Sequence, residues 1–153
     1  MPLARLAVLA IIVGATAVAP ADVRAATVWY VGDGQVAPGL DDVPTRCLEP
    51  DAALIQDAVD LAVDGETVYV CPGTHVLDAG IVVPSPAAGT APRLTFQGHA
   101  ATDTTITRRS GPGAAEFGLI EAEGWTLALS DLTLTSGHRP DTERGGAVAA
   151  ARV

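Results

Sequence analysis

The chain has 153 residues, 48% of them hydrophobic, and a formal net charge of −9 at pH 7. This length allows one domain once any leader is removed. A surface this acidic would repel the phosphates of nucleic acids and anionic membranes, so we expect no nucleic-acid partner.

The N-terminus has the three parts of an export signal. Arg5 supplies a positive charge, an apolar stretch runs from Leu6 to Ala19, and small residues follow. The apolar stretch is shorter than the roughly 20 residues that span a bilayer. We therefore predict a signal peptide over residues 1–25, cleaved after Ala25 or one residue later. The mature protein is expected to have no membrane span and to be secreted or held at the cell surface.

Residues 26–65 are predicted to contain a strand, a loop and a helix. β-Branched and aromatic residues over 27–31 predict the strand, which ends at a Gly-Asp-Gly turn. Pro50 can begin the helix, Asp51 suits its first turn, and Gly65 can end it. Apolar residues recur between these limits at helical spacing, which predicts an amphipathic helix lying on an apolar surface. They are Leu54, Ile55, Ala58, Leu61 and Ala62.

After this helix the apolar pattern changes to a period of two residues. Short β-branched segments alternate with Gly, Pro, Asp and Ser turns, without a second helix between them. This excludes a doubly wound α/β sheet and leaves a sandwich, a barrel or a β-solenoid. The predicted strands are 67–71, 81–83, 94–96, 104–107, 117–122, 125–129, 132–134 and 146–148.

Two adjacent segments resemble the N-terminal cap and first turn of the pectate-lyase-like, right-handed parallel β-helix superfamily. Residues 55–62 read Ile-Gln-Asp-Ala-Val-Asp-Leu-Ala, similar to the I-Q-x-A-V-x-x-A of that cap. Residues 65–75 read Gly-Glu-Thr-Val-Tyr-Val-Cys-Pro-Gly-Thr-His, similar to the family's G-D-T-V and P-G-T-Y. The segments 94–98 and 104–106 are similar to the next coil of the same solenoid, and the segments 129–137 and 145–148 to later coils.

The resemblance covers about residues 47–148 and implies an all-β fold. This fold would be a right-handed parallel β-helix with an N-terminal amphipathic capping helix, whose first coils are residues 66–153. No C-terminal cap is visible before Val153, and about three coils are near the least that a solenoid needs, so we expect a truncated β-helix.

The chain has two cysteines, Cys47 and Cys71. In an exported protein an isolated pair is more often a structural disulfide than a metal or redox site. Secreted members of the superfamily that the chain resembles often flank the capping helix with cysteines at these positions. We expect a disulfide that stabilises the fold by roughly 3 to 4 kcal/mol.

Few charged residues have the spacing of a site. Glu121 and Glu123 are candidates for a Ca²⁺ site, because residues two apart on a strand project from one face, although a solvated outer face explains them as well. Asp131 is close to them in sequence. Arg108 and Arg109 could hold an acidic sugar by bidentate contacts, but a basic turn also accounts for them. No metal or cofactor is assigned.

Single histidines and aromatic residues are likewise expected to be structural. The histidines are His75, His99 and His138, which are scattered in or after turns, and acidic residues such as Asp33, Asp41 and Asp42 lie in a loop rich in Gly and Pro. Trp29 is expected to pack the cap and Trp125 to be partly exposed. None of these residues is assigned to catalysis.

The sequence therefore favours an exported β-helix scaffold that is structural, adhesive or carbohydrate-contacting and has no catalytic site in this segment. Its expected partner is a polysaccharide or a cell-surface glycan. The alternative is the N-terminal part of a polysaccharide lyase or related enzyme that acts on acidic polysaccharide. Its catalytic residues would then lie on coils beyond Val153.

Overall fold

The computed structural model describes residues 27–32, 39–40, 42–111, 117–136 and 148–149. The predicted signal peptide of residues 1–25 and its cleavage site at Ala25 lie outside them. The described chain has one α-helix, α1 (Ile55–Leu61), and a 3-10 turn at Thr45–Cys47. Its strands are β1 (Val28–Val31), β2 (Thr67–Val70), β3 (Gly73–Leu77), β4 (Ile81–Val82), β5 (Arg93–Gly98), β6 (Thr104–Arg108), β7 (Ile120–Glu121), β8 (Thr126–Ser130), β9 (Thr133–Thr135) and β10 (Val148–Ala149).

The strands form three parallel sheets that the chain visits in turn. Sheet A has the order β1-β2-β5-β8, sheet B the order β3-β6-β9, and sheet C the order β4-β7-β10. Consecutive strands from β2 onward therefore lie in different sheets, and each pairs in parallel with the strand three places later. The expected all-β class is confirmed.

Equivalent apolar residues pair directly between layers. Val68 on β2 pairs with Phe96 on β5, and both side chains are fully buried. In sheet C, Ile81 on β4 pairs with Ile120 on β7, and both are again buried. Because side chains alternate between the two faces of a strand, this register directs one row of each sheet into a common apolar core.

Helix α1 begins at Ile55, so the predicted start at Pro50 is wrong. Asp51 does not lie in a helical turn, because its carboxylate accepts the backbone N–H of Tyr30 at 2.9 Å and pairs with the guanidinium of Arg46. Ala52 forms a parallel bridge with Val31. These contacts hold the chain before the helix in an extended conformation beside β1.

The buried face of α1 consists of Ile55, Ala58 and Val59 and packs on β1, β2 and β4. Leu54 and Leu61 were predicted on this face but are 62% and 55% exposed. No helix in the described part of the chain is long and apolar enough to cross a membrane.

The predicted strands agree with the structure in place, although their ends differ by a few residues. The main omission is β3, because no strand was predicted between residues 71 and 81. Gly73 has a φ of 140°, which suits glycine, and begins a strand that pairs with β6 over its full length. The largest shortening is at β7, which spans Ile120–Glu121 instead of residues 117–122.

Candidate functional site

Cys47 and Cys71 form the predicted disulfide, with their Cα atoms 5.6 Å apart. The bond packs with Tyr30, Tyr69 and Val43 in a cluster separate from the main core. The two tyrosine rings lie 5.1 Å apart, and Tyr69 is buried. Burial, followed by the charges of neighbouring groups, raises the pKa of Tyr69. The disulfide and the tyrosine contacts together attach the loop that contains Cys47 to β1 and β2.

Glu121 and Glu123 do not share a strand, so the prediction that both project from one strand face is wrong. Strand β7 ends at Glu121, and Glu123 lies in the turn that follows. Within the described residues, no group of three or more His, Cys, Asp or Glu side chains could hold a metal ion. The Ca²⁺ site stays a prediction to which this geometry adds no support.

The two neighbouring arginines, Arg108 and Arg109, differ in how far they are exposed to solvent. Arg108 ends β6 and is half-buried, whereas Arg109 is exposed and forms a bidentate ion pair with Asp78, with Nη2 and Oδ2 3.2 Å apart. The hydrogen bond from Arg109 lowers the pKa of Asp78, and the same contact raises the pKa of Arg109. Arg109 thus has a carboxylate partner within the chain.

Two of the three histidines lie in the described residues, and each makes local hydrogen bonds. His75 lies in β3, and its Nε2 donates to the carbonyl oxygen of Cys71 at 2.8 Å, since a carbonyl can only accept. The Nδ1 atom of His99 lies 3.3 Å from the Tyr69 hydroxyl. Asp42 is exposed in its loop, with a φ of 61°. His138, Asp33 and Asp41 lie outside the described residues.

Both tryptophans support the fold. Trp29 packs against the core, as expected, and its Nε1 donates to Oε2 of Glu66 at 2.8 Å. Trp125 is only 9% exposed, so its predicted partial exposure is wrong. Its indole N–H donates to the carbonyl of Pro84 at 2.7 Å, which allows the ring to be buried.

Glu66 is a buried carboxylate that the sequence reasoning missed. It is 2% exposed, and its Oε2 accepts the backbone N–H of Val63 at 3.0 Å as well as the indole of Trp29. The signal was present in the sequence, because an acidic residue stands directly before the apolar strand β2. Glu66 links the chain after α1 to β1, which is a structural role.

The outer side of sheet B carries two rows of side chains in register, which we call the threonine face. The first row is Thr74, Thr105 and Thr133, and the second is Val76, Thr107 and Thr135. Ile106 and Leu134 alternate with them and pack in the core, so the rows point outward. All six side chains are exposed or half-buried. The face is therefore an accessible, uncharged array of hydroxyl and methyl groups.

A groove runs along the edge of β3 beside the threonine face, and we call it the edge groove. One part has a volume of about 220 Å³ between residues 53–55 and 72–77. A second part of about 260 Å³ lies between residues 54–56 and 76–81. The two parts share Leu54, Ile55, Val76 and Leu77, so they adjoin along a common apolar wall.

Comparison with known proteins adds no family to this picture. No family model, curated protein or solved structure matches the chain. The threonine face and the edge groove are therefore judged by their own chemistry. Threonine hydroxyls both donate and accept hydrogen bonds and their methyl groups contact apolar surfaces, a combination that suits a neutral polyhydroxylated ligand better than an acid–base reaction.

Proposed function

We propose that the chain is an exported scaffold with a right-handed parallel β-helix fold that contacts polysaccharide through the threonine face. Three parallel sheets visited in turn, a helix against the first strands and a disulfide beside them support this fold and an oxidising location. The resemblance in residues 47–148 supports the same fold.

The threonine rows are the observation that carries the contact with polysaccharide. Neighbouring strands lie about 4.8 Å apart, so methyl groups repeat at that interval in both rows. Hydroxyl groups repeat at the same interval, three of them in the first row and two in the second. A sugar ring presents hydroxyl groups at its edge and C–H groups on its faces, and both find partners on such an array. Because the chain carries a net charge of −9, a neutral polysaccharide is favoured over an acidic one.

Removing hydroxyl groups without changing shape tests this proposal. Thr105→Val together with Thr107→Val keeps the β-branched outline and deletes two central hydroxyls of the face. Loss of two hydrogen bonds to the ligand should weaken binding about tenfold or more. Binding would be measured by co-sedimentation with insoluble neutral polysaccharides and by calorimetry with soluble ones.

A matched control lies on the outer side of another sheet. Thr67 and Thr95 pair across β2 and β5 and are also half-buried, so Thr67→Val with Thr95→Val removes the same groups elsewhere. This control should bind as the unmodified protein does. The proposal fails if the unmodified protein binds none of the polysaccharides, or if both double variants bind equally well.

Export is tested separately. Expression of the full chain in a bacterial host with a secretion pathway should give a product outside the cytoplasm. Its N-terminal sequence should begin after Ala25 or one residue later. A product that stays in the cytoplasm with residues 1–25 attached would contradict the exported location.

A further inference from the structure

The first strands of the three sheets have outer edges on the same side of the molecule as α1, and two of these edges are closed. Beside β1, the N–H of Gly32 donates to the carbonyl of Ala52 at 3.1 Å, and the N–H of Ala52 donates to Tyr30 at 3.2 Å. Beside β4, the side-chain amide of Gln56 takes the place of a strand. It accepts the N–H of Val82 and donates to its carbonyl, both at 2.9 Å.

Among the residues that the structure describes, nothing comparable covers the edge of β3. The N–H of Gly73 donates to Asp103 at 2.7 Å, and the carbonyl of Leu77 accepts the N–H of Arg109 at 2.9 Å. In a strand, the N–H and C=O groups of alternate residues point to the same side. Residues 73, 75 and 77 therefore face β6, and the backbone groups of Thr74 and Val76 face away from it. Within the described residues, no strand pairs with this side of β3.

The edge groove lies where these backbone groups point. Its walls carry Leu54, which is 62% exposed, and Val76, which is 46% exposed. An uncovered strand edge next to exposed apolar side chains is a template for pairing with another strand. Proteins that bind peptides by strand addition combine these two elements, since backbone hydrogen bonds give affinity and pockets for alternate side chains give specificity.

We propose that the edge groove binds an extended peptide segment of another protein, which adds to sheet B as a strand beside β3. An apolar side chain of the peptide sits between Leu54 and Val76. Basic residues at alternate positions match the net charge of −9 on the chain. This function is separate from contact with polysaccharide, because it uses the backbone edge of β3 and not the threonine hydroxyls.

The probe is a short fluorescein-labelled peptide of alternating valine and lysine. Its control has the same sequence and charge, with alternate backbone nitrogens methylated so that one edge cannot donate hydrogen bonds. Binding to the full exported protein is measured by fluorescence anisotropy at physiological salt. The unmethylated peptide should bind, and the methylated one should bind about tenfold more weakly or not at all.

Variants at Val76 locate the site. Val76→Pro removes the N–H that points into the groove and leaves the hydrogen bonds between β3 and β6 in place, since proline is tolerated at an edge strand. It should weaken peptide binding about tenfold or more. Val76→Ala is the matched control, because it shortens the same side chain and keeps the N–H. It should lose only the part of the affinity that comes from the apolar contact with Val76, and it should bind the peptide more tightly than Val76→Pro does.

Equal binding of the two peptides, no binding of either, or equal affinity of a folded Val76→Pro variant and Val76→Ala would each overturn the proposal. Circular dichroism and non-reducing electrophoresis check that the variants fold. If Val76→Pro does not fold, the comparison of the two peptides on the unmodified protein decides the question alone.

Discussion

Glu66 offers a test of how the chain after α1 is attached to β1. We consider Glu66→Leu, which removes the carboxylate and keeps a side chain of similar length. The backbone N–H of Val63 and the indole N–H of Trp29 would both lose the acceptor Oε2, which now lies 3.0 Å and 2.8 Å from them.

A buried donor left without a partner costs about 1 to 3 kcal/mol. Trp29 is only half-buried and Val63 is 48% exposed, so water can reach part of each residue and both contributions should fall in the lower part of that range. The added apolar surface of leucine offsets some of the loss. We therefore expect Glu66→Leu to lower the free energy of unfolding by about 2 to 4 kcal/mol.

A double-mutant cycle with Trp29→Phe isolates the bond between the indole and the carboxylate. Urea unfolding would be followed by circular dichroism with the disulfide intact, and the coupling energy should be about 1 to 2 kcal/mol. Glu123→Leu is the matched control, because Glu123 is exposed in a turn, and it should change stability by less than about 0.5 kcal/mol. A coupling energy near zero would show that Glu66 does not stabilise Trp29.

Three further perturbations test other contacts. Replacing both cysteines with alanine should lower the free energy of unfolding by about 3 to 4 kcal/mol, because the disulfide joins residues 24 positions apart; unchanged urea unfolding would contradict this. Gly98→Ala should cost about 1 to 3 kcal/mol in the same assay, since its Cβ would lie 2.1 Å from the carbonyl oxygen of Asp131, and an unchanged midpoint would refute the close approach. Arg109→Gln should raise the pKa of Asp78 toward its ordinary value in an NMR titration, because the guanidinium lowers it in the folded protein. This ion pair stabilises the fold above the unfolded-state pKa of Asp78 and loses that effect as the pH falls through the lower folded-state pKa, so an unmoved pKa would show that the pair does not form in solution.

Much of the fold could be predicted because alternation of apolar residues is a local signal. The segments that became β5 and β6 each alternate between buried and outward residues, and the structure places strands there. The start of α1 could not be predicted in this way. Asp51 suits a helical first turn locally, but its partners Tyr30 and Arg46 are provided by other parts of the chain.

Only part of the candidate site, the threonine pattern within single strands, could be predicted from the sequence. Two of the three strands show a Thr-x-Thr pattern, namely Thr105-Ile-Thr107 and Thr133-Leu-Thr135, and that signal could have been noticed. Their alignment into rows depends on the pairing between layers, which no single segment reveals. The edge groove could not be predicted from the sequence. It depends on which strand edges are covered by other parts of the chain, and in the structure Ala52 covers β1 and Gln56 covers β4.

The connections between strands differ in length without disturbing the layers. β3 and β4 are separated by residues 78–80, whereas β6 and β7 are separated by residues 109–119, and yet Ile81 and Ile120 still pair. The entropy of closing a loop grows only slowly with its length. Gly111 is exposed in the longer connection, and a foreign loop or a small binding module could therefore be inserted after it while the strands on either side keep their partners.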